Sequence, residues 1–255
     1  MSALTTEGII LRKYFLRETS YILVVFTREF GKIRGVLKGV RDPYPQFAGN
    51  FELFTRCKLI FYKKKGTRLD LISRCEAEDF YYPVRRDLKK VSTANYFVEL
   101  VDAVTIDHDV NERLYDVLSE SLNCLSSSQD ARNIARIFEL KMLEAAGFAP
   151  RVGDCAGCGA GFSDPFFFSP KRGGIVCAAC SGGGMDGVPI SMGAVNFMRK
   201  IYEVPFSRVS QINVTKDVAA DIARALKGFV AYHLGKEIKS AGFIEELERK
   251  GVFEF

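Results

Sequence analysis

Four of the seven cysteines fall in two pairs, Cys155-Ala156-Gly157-Cys158 and Cys177-Ala178-Ala179-Cys180, with eighteen residues between them. Two such knuckles let four thiolates converge on one ion with tetrahedral geometry. Gly157 and Gly159 let the backbone fold around that ion so that amides approach the sulfurs. With every ligand position filled by protein, none is left for water or substrate, and the expected ion is a structural Zn2+. An iron–sulfur cluster is the minor thiolate alternative. Four unliganded thiols or a redox pair is the plain one. Cys57, Cys75 and Cys124 stand alone. An odd cysteine count without a secretory segment argues against a disulfide framework.

The second chemical signal is cationic. Residues 1–90 hold 19 Lys and Arg against 10 Asp and Glu, a local net of +9, although the whole chain carries only +5. The remainder is therefore net acidic, and a polyanionic partner is expected for the first third. In a strand over 32–38, Lys32, Arg34, Val36 and Lys38 share one side, while Ile33, Gly35 and Leu37 turn to the core. Arg56 and Lys58 share a side with Ile60 and Tyr62. Lys63-Lys64-Lys65-Gly66-Thr67-Arg68 reads as a basic hairpin loop, and Arg12, Lys13, Tyr14, Phe15 and Arg17 lie near an earlier turn. Cations interleaved with aromatics suit a single strand, because the charges follow phosphates and the rings stack on bases. Arg85-Arg86 and Lys89-Lys90 begin a helix and either extend this track or form a polar helix face. A solvated surface is the plain reading of any one of these runs; their convergence on one predicted groove favours DNA or RNA.

The elements that must position these groups follow from periodicity. Gly8–Tyr14, Ser20–Arg28, Lys32–Lys38, Glu52–Tyr62 and Leu69–Glu76 read as five strands separated by polar or turn-forming residues. Five strands in about eighty residues suit an OB-fold barrel, with an SH3-like barrel as competitor on pattern alone. From Pro83 the period becomes helical: stripes run over Val84–Val101, Val110–Leu125 and Ile134–Leu143, the last ended by Gly147 and Pro150. Helical spacing returns at Ser191–Val204 and Val218–Leu234, with Ser191 a candidate N-cap and Gly235 a candidate stop. The expected class is α+β. A DNA-binding OB-fold over 1–80 precedes a helical domain over 81–255, and the cysteine knuckles form an insert at about 151–188.

Enzymatic chemistry finds little footing. Only two histidines occur, His108 within the acidic Asp107-His108-Asp109 and His233 at a helix end. No Gly-x-x-x-x-Gly-Lys loop is present, which argues against ATP hydrolysis. With 47% hydrophobic and 26% charged residues, and no run of the roughly 18 apolar residues a membrane helix needs, a soluble cytoplasmic protein is expected.

Taken together, the motifs resemble the RecO family over nearly the whole chain. Glu7-Gly8-Ile9-Ile10-Leu11 followed by Glu18-Thr19-Ser20 looks like that family's first strand and turn. Phe26-Thr27 with Gly31-Lys32, Lys38-Gly39-Val40-Arg41 and Phe54-Thr55 continue the match. Arg136-Ile137-Phe138-Glu139-Leu140 with Gly147-Phe148-Ala149-Pro150 resembles the helix before the knuckle, and Tyr232-His233-Leu234-Gly235 with Ile238-Lys239-Ser240 a closing motif. The resemblance implies a bacterial DNA repair and recombination mediator without enzymatic turnover, located with the nucleoid. Such a protein binds single- and double-stranded DNA and promotes annealing. It works with RecR, helps load RecA onto strands coated by single-stranded-DNA-binding protein, and contacts that protein's acidic tail. A carboxylate-bearing tail needs arginine beside an apolar notch, and Arg132 and Arg136, one turn apart, are the candidates. Lys38 and Arg41 carry over from the family pattern, whereas Asp42-Pro43-Tyr44-Pro45-Gln46 departs from it. The competing class is a zinc-ribbon transcription- or RNA-associated factor, which would gather cations such as Lys171 and Arg172 around the knuckles. A zinc hydrolase is disfavoured by the all-thiolate ligand set.

Overall fold

The computed structural model describes residues 2–16, 18–38, 51–64, 66–67, 69–161, 163–209 and 212–252. Strands β1 (Leu4–Leu16), β2 (Ser20–Thr27), β3 (Gly31–Leu37), β4 (Arg56–Tyr62) and β5 (Asp70–Asp79) close into a barrel in the order β1-β2-β3-β5-β4. The β3–β5 junction is parallel and the others antiparallel. This is the OB-fold order, as expected. Period-2 alternation turns Ile10, Leu23, Val25, Ile33, Leu37, Leu59, Phe61 and Ile72 inward to form the core. Gly35 belongs to the same inward set, where a Cβ would lie 2.5 Å from the Ile72 side chain, so the parallel junction depends on its missing side chain.

One strand begins later than its sequence suggests. Glu52 to Thr55 form a turn, and β4 starts at Arg56. Phe54 adopts φ 53 and donates its amide to the Ile10 carbonyl at 2.7 Å. A left-handed phenylalanine is costly, and its neighbours must hold it. Arg85 does so: its guanidinium lies 4.2 Å from the Phe54 ring centroid and donates to the Phe80 and Leu53 carbonyls and the Thr55 hydroxyl.

Beyond the barrel come α1 (Tyr82–Arg85), α2 (Leu88–Val104), α3 (Glu112–Ser127) and α4 (Ala131–Ala145). Asp87 and Asp130 cap α2 and α4 by accepting amides of the first turn. A small sheet follows, with β6 (Phe166–Ser169) between β7 (Gly174–Cys177) and β8 (Val188–Pro189). The chain ends with α5 (Met192–Glu203), α6 (Phe206–Val209), α7 (Lys216–Leu234) and α8 (Lys239–Arg249). Ser191 caps α5, and Gly235 closes α7 at φ 58, both as expected. Among the described residues, no helix is long and apolar enough to cross a membrane.

Two compact units result. One comprises residues 1–127 with the segment from Ser240 onward; the other is Ser128–Lys239. Within the first unit, α1 to α3 pack on the barrel. Phe26 of β2 meets Tyr115 of α3 at 6.2 Å, and Arg28 pairs with Asp116 at 3.0 Å. The last helix rejoins this unit where Ser240 donates its amide and hydroxyl to Glu99 of α2 at 2.8 and 2.6 Å.

The strongest tie between barrel and helices is Lys32. Its ammonium donates to the Asp102 carbonyl (2.8 Å), the Asp102 carboxylate (3.0 Å) and the Thr105 carbonyl (2.7 Å). All three of its protons are thus used, on the end of α2 where backbone carbonyls lack helical partners. Asp102 also accepts from Arg12. Burial alone would raise the Asp102 carboxyl, but hydrogen bonds from Arg12 and Lys32 outweigh it and hold the group below the ordinary carboxylate range. A depressed carboxyl contributes stability above its unfolded pKa and loses it as pH falls through the folded one. Lys32→Met is expected to destabilise the first unit by about 1–3 kcal/mol in urea titrations at neutral pH, since two helix-end carbonyls lose their donor and Asp102 keeps only Arg12. That deficit should shrink on acidification below the ordinary carboxylate range; an unchanged midpoint at neutral pH would contradict this role.

Candidate nucleic-acid interface and metal centre

The barrel's cations divide into neutralised and open groups. Arg12, Lys32 and Arg34 lie on the outer face of β1–β2–β3, Arg12 and Arg34 on either side of Val24 in the register and Lys32 opposite Phe26. Contrary to the expected open basic face, this part meets the acidic end of α2 and the loop after it. Lys32 is 3% exposed and bound as described, so its assignment as a nucleic-acid contact is corrected. Arg12 is bonded to Asp102, and Arg34 donates through Nε to both carboxylate oxygens of Asp107 at 2.9 and 3.1 Å. Arg85 is likewise corrected: its guanidinium holds the Phe54 turn. Arg86 beside it is exposed.

The β4 face is balanced rather than basic. Lys58 is exposed but stands in register between Glu7 and Glu76. Arg56 stands opposite Asp79 and 4.0 Å from Glu78. These acidic partners come from strands distant in sequence, which is why the alternation along β4 alone did not reveal them.

Open cations stand with aromatics at the two rims of the barrel. At one rim the register joins Phe15↔Tyr21↔Leu37, so the end of β1, the start of β2 and the end of β3 meet there, with Lys38 exposed. The β4–β5 hairpin, with Lys63 and Lys64 exposed, lies toward the other rim, where Phe61 pairs with Leu4 at the start of β1 and packs on Phe30 of the β2–β3 turn. Phe15 is 70% and Tyr14 45% exposed. Phe15 packs on Tyr21 at 5.5 Å, and Tyr21 on Phe51 at 6.1 Å. Lys13 lies over the Tyr21 ring at 5.4 Å and pairs with Glu52 at 2.6 Å. Lys63 lies over Phe30. Tyr21 and Phe51 were not singled out in the sequence; only the pairing of β1 with β2 brings them to Phe15. Arg17, Arg41, Lys65 and Arg68, with the 42–46 segment, lie outside the described residues.

The second unit holds a four-cysteine cluster that could bind a metal ion. The four sulfurs of Cys155, Cys158, Cys177 and Cys180 lie within 4.8 Å of one another. A tetrahedral thiolate site with metal–sulfur bonds of about 2.3 Å needs sulfurs about 3.8 Å apart, so a slight contraction closes the set. The surroundings fit a metal. The amides of Gly157 and Cys177 point at the Cys155 sulfur, each at 3.4 Å. Burial raises the Cys155 thiol, but the Cys177, Cys158 and Gly157 amides outweigh it and bring the group down to about 6. Hydrogen bonds with Cys177, Cys158 and Cys155 push Cys180 up to about 12. A Cβ on Gly157 would lie 2.9 Å from both Cβ and Sγ of Cys180, so glycine is what lets the first knuckle close.

Backbone bonds stitch the knuckles together. Ile175 donates to Arg151 at 2.9 Å, and Ala156 donates to Ile175 at 2.7 Å. Arg199 of α5, which the sequence did not mark, donates to the Val152 and Gly153 carbonyls at 2.7 and 2.9 Å. It fixes the entry into the first knuckle. Cations near the site have acidic partners: Arg151 pairs with Asp154, and Arg172 lies 3.8 Å from Asp186.

The two arginines expected to receive an acidic tail differ. Arg132 is half-buried. Arg136 is buried, 3.2 Å from the buried Glu139 in the same helix, so its place on an open face is corrected. The apolar stripe of α4 is wide enough to take position 136 inside.

Comparison with known proteins agrees with this architecture. The family model described as "Recombination protein O N terminal" matches residues 1–81, and "Recombination protein O C terminal" matches 85–241. Curated relatives named DNA repair protein RecO include one from Pelotomaculum thermopropionicum, 30% identical over 96% of this chain and 94% of its own. Another, from Symbiobacterium thermophilum, is 30% identical over 97% and 98%. A third, from Moorella thermoacetica, is 29% identical over 94% and 90%. With a closed OB barrel, a four-cysteine centre and both family models matched along its length, this chain belongs to the RecO family of DNA repair proteins.

Proposed function

We propose that the protein is a non-enzymatic recombination mediator that holds DNA along the barrel between its two rims and anneals complementary strands. The observation that carries this reading is the set of exposed cations and rings at those rims, Tyr14, Phe15 and Lys38 at one and Lys63 and Lys64 at the other. Stacking rings beside cations that follow phosphates suit a single strand of any sequence. Duplex DNA would use the same cations without the stacking. In this reading the protein acts in the cytoplasm at the nucleoid. It works with RecR on strands coated by single-stranded-DNA-binding protein, contacts that protein's acidic tail, and assists RecA loading. Arg132 is the remaining candidate for tail contact. The zinc-ribbon alternative loses support because Arg151 and Arg172 beside the knuckles have acidic partners.

The four cysteines would hold Zn2+, which suits four soft thiolates in a tetrahedron and needs no open position. Bound there, the ion supplies structural cross-linking. Arg199, Gly157 and the amides around Cys155 orient the knuckles that receive it.

Two experiments test these readings. Annealing of complementary strands coated with single-stranded-DNA-binding protein should fall at least about tenfold in a Lys63→Glu, Lys64→Glu double variant, since reversing two phosphate-facing charges costs several ionic contacts. Unchanged annealing by the folded variant would remove that hairpin rim from the mechanism. Metal analysis should find about one zinc per chain in the wild type and little in Gly157→Val. Full zinc content in that variant would show that the knuckle closes otherwise.

A further inference from the structure

On the outer face of β3, Arg34, Val36 and Lys38 follow one another toward the rim. The edge of that strand is unusual. β5 pairs with β3 only from Gly35 to Leu37, so residues 31–34 lack a β5 partner there. The loop between α2 and α3 covers this stretch. Asp107 forms a parallel bridge with Lys32, and the His108 amide donates to the Lys32 carbonyl at 2.8 Å. His108 takes φ 64 to do so. Gly31, at φ 65, sits directly beneath Asp109, where a Cβ would lie 2.1 Å from the Asp109 carbonyl oxygen. The loop is therefore fixed by backbone pairing. It delivers the Asp107 carboxylate to Arg34, both oxygens accepting from Nε at 2.9 and 3.1 Å.

The two side chains remain 39% and 40% exposed. The single Nε–H of Arg34 is shared between the two oxygens of Asp107, and a phosphate offers the same kind of anionic oxygen acceptor to a guanidinium. We propose that Asp107 is an intramolecular phosphate mimic: it occupies Arg34, the next cation along β3 from Lys38, and shortens the nucleic-acid track until a phosphate chain displaces it. The inference rests on the barrel-rim reading of DNA binding. It makes the α2–α3 loop a determinant of affinity that needs no contact with DNA. Exposed ion pairs are weak enough for such exchange, at about 0.2–1 kcal/mol, a range equal to about 1.4- to 5-fold in affinity.

The test is binding of a fluorescent oligo-dT strand by the full chain over a salt series. Asp107→Asn is expected to bind about two- to fivefold tighter at low salt. Its log affinity should fall more steeply with log salt, by about 0.7, the increment for one additional phosphate contact on a single strand. Asp109→Asn makes the same net-charge change without touching Arg34 and should leave the slope as in the wild type. Arg34→Gln added to Asp107→Asn should abolish the gain. Thermal melting confirms that each exposed-site variant is folded. If the wild type binds the strand and Asp107→Asn changes neither affinity nor slope, or Asp109→Asn reproduces its effect, the mimic is overturned while the rim reading stands. If the wild type fails to bind, both are overturned.

Discussion

The placement of a lysine under the end of a helix governs what the barrel can present to a ligand. Lys32 extends from β3 into the last turn of α2 and satisfies two carbonyls and a carboxylate with its three protons. Helix ends leave four carbonyls without intrahelical partners, and a buried end must find donors elsewhere. Here the donor comes from the barrel, together with Arg12 on Asp102. This buried contact sets the loop after α2 against the open part of β3. The same loop then places Asp107 on Arg34. These contacts thus tie up Arg12, Lys32 and Arg34 and leave Lys38, Lys63 and Lys64 open at the barrel's two rims.

The two units have separate chemistry. In the first, exposed lysines and aromatic rings stand at the ends of the barrel. In the second, four clustered cysteines and a three-stranded sheet organise a segment that has little core of its own. Phe168 of that sheet packs on Phe229 of α7 at 5.7 Å, and Arg199 ties α5 to the first knuckle. A small, glycine-rich segment needs such cross-links because its short strands bury few apolar side chains. Near the knuckles, Arg151 pairs with Asp154 and Arg172 lies near Asp186.

Much of the fold was legible in the sequence because its signals are local. Alternation marked all five barrel strands, and Ser191 and Gly235 marked the ends of α5 and α7. The cysteine spacing located the four-cysteine cluster because two short knuckles bring their sulfurs together. What stayed hidden was long-range pairing. Lys32 and Arg34 alternate with apolar neighbours as surface residues do, and nothing near them in sequence shows that Asp102 and Asp107 will cover them. Arg85 reads as a helix-face cation, yet the Phe54 turn thirty residues earlier claims its guanidinium. α8 escaped notice because, of its eleven residues, only Ile244 is buried, too little for a periodic stripe. Arg136 illustrates the reverse error, since a charged residue at core spacing found a buried partner in Glu139.

The central claim is that DNA runs between the barrel's two rims and leaves the charge-balanced β4 face uncovered. Lysine footprinting tests it most directly: amine acetylation of the wild-type protein, free and bound to a single strand, read out by mass spectrometry. The account predicts that bound DNA protects Lys38, Lys63 and Lys64 while Lys58, between Glu7 and Glu76, keeps its reactivity. Protection of Lys58 with undiminished reactivity at the three rim lysines would contradict it.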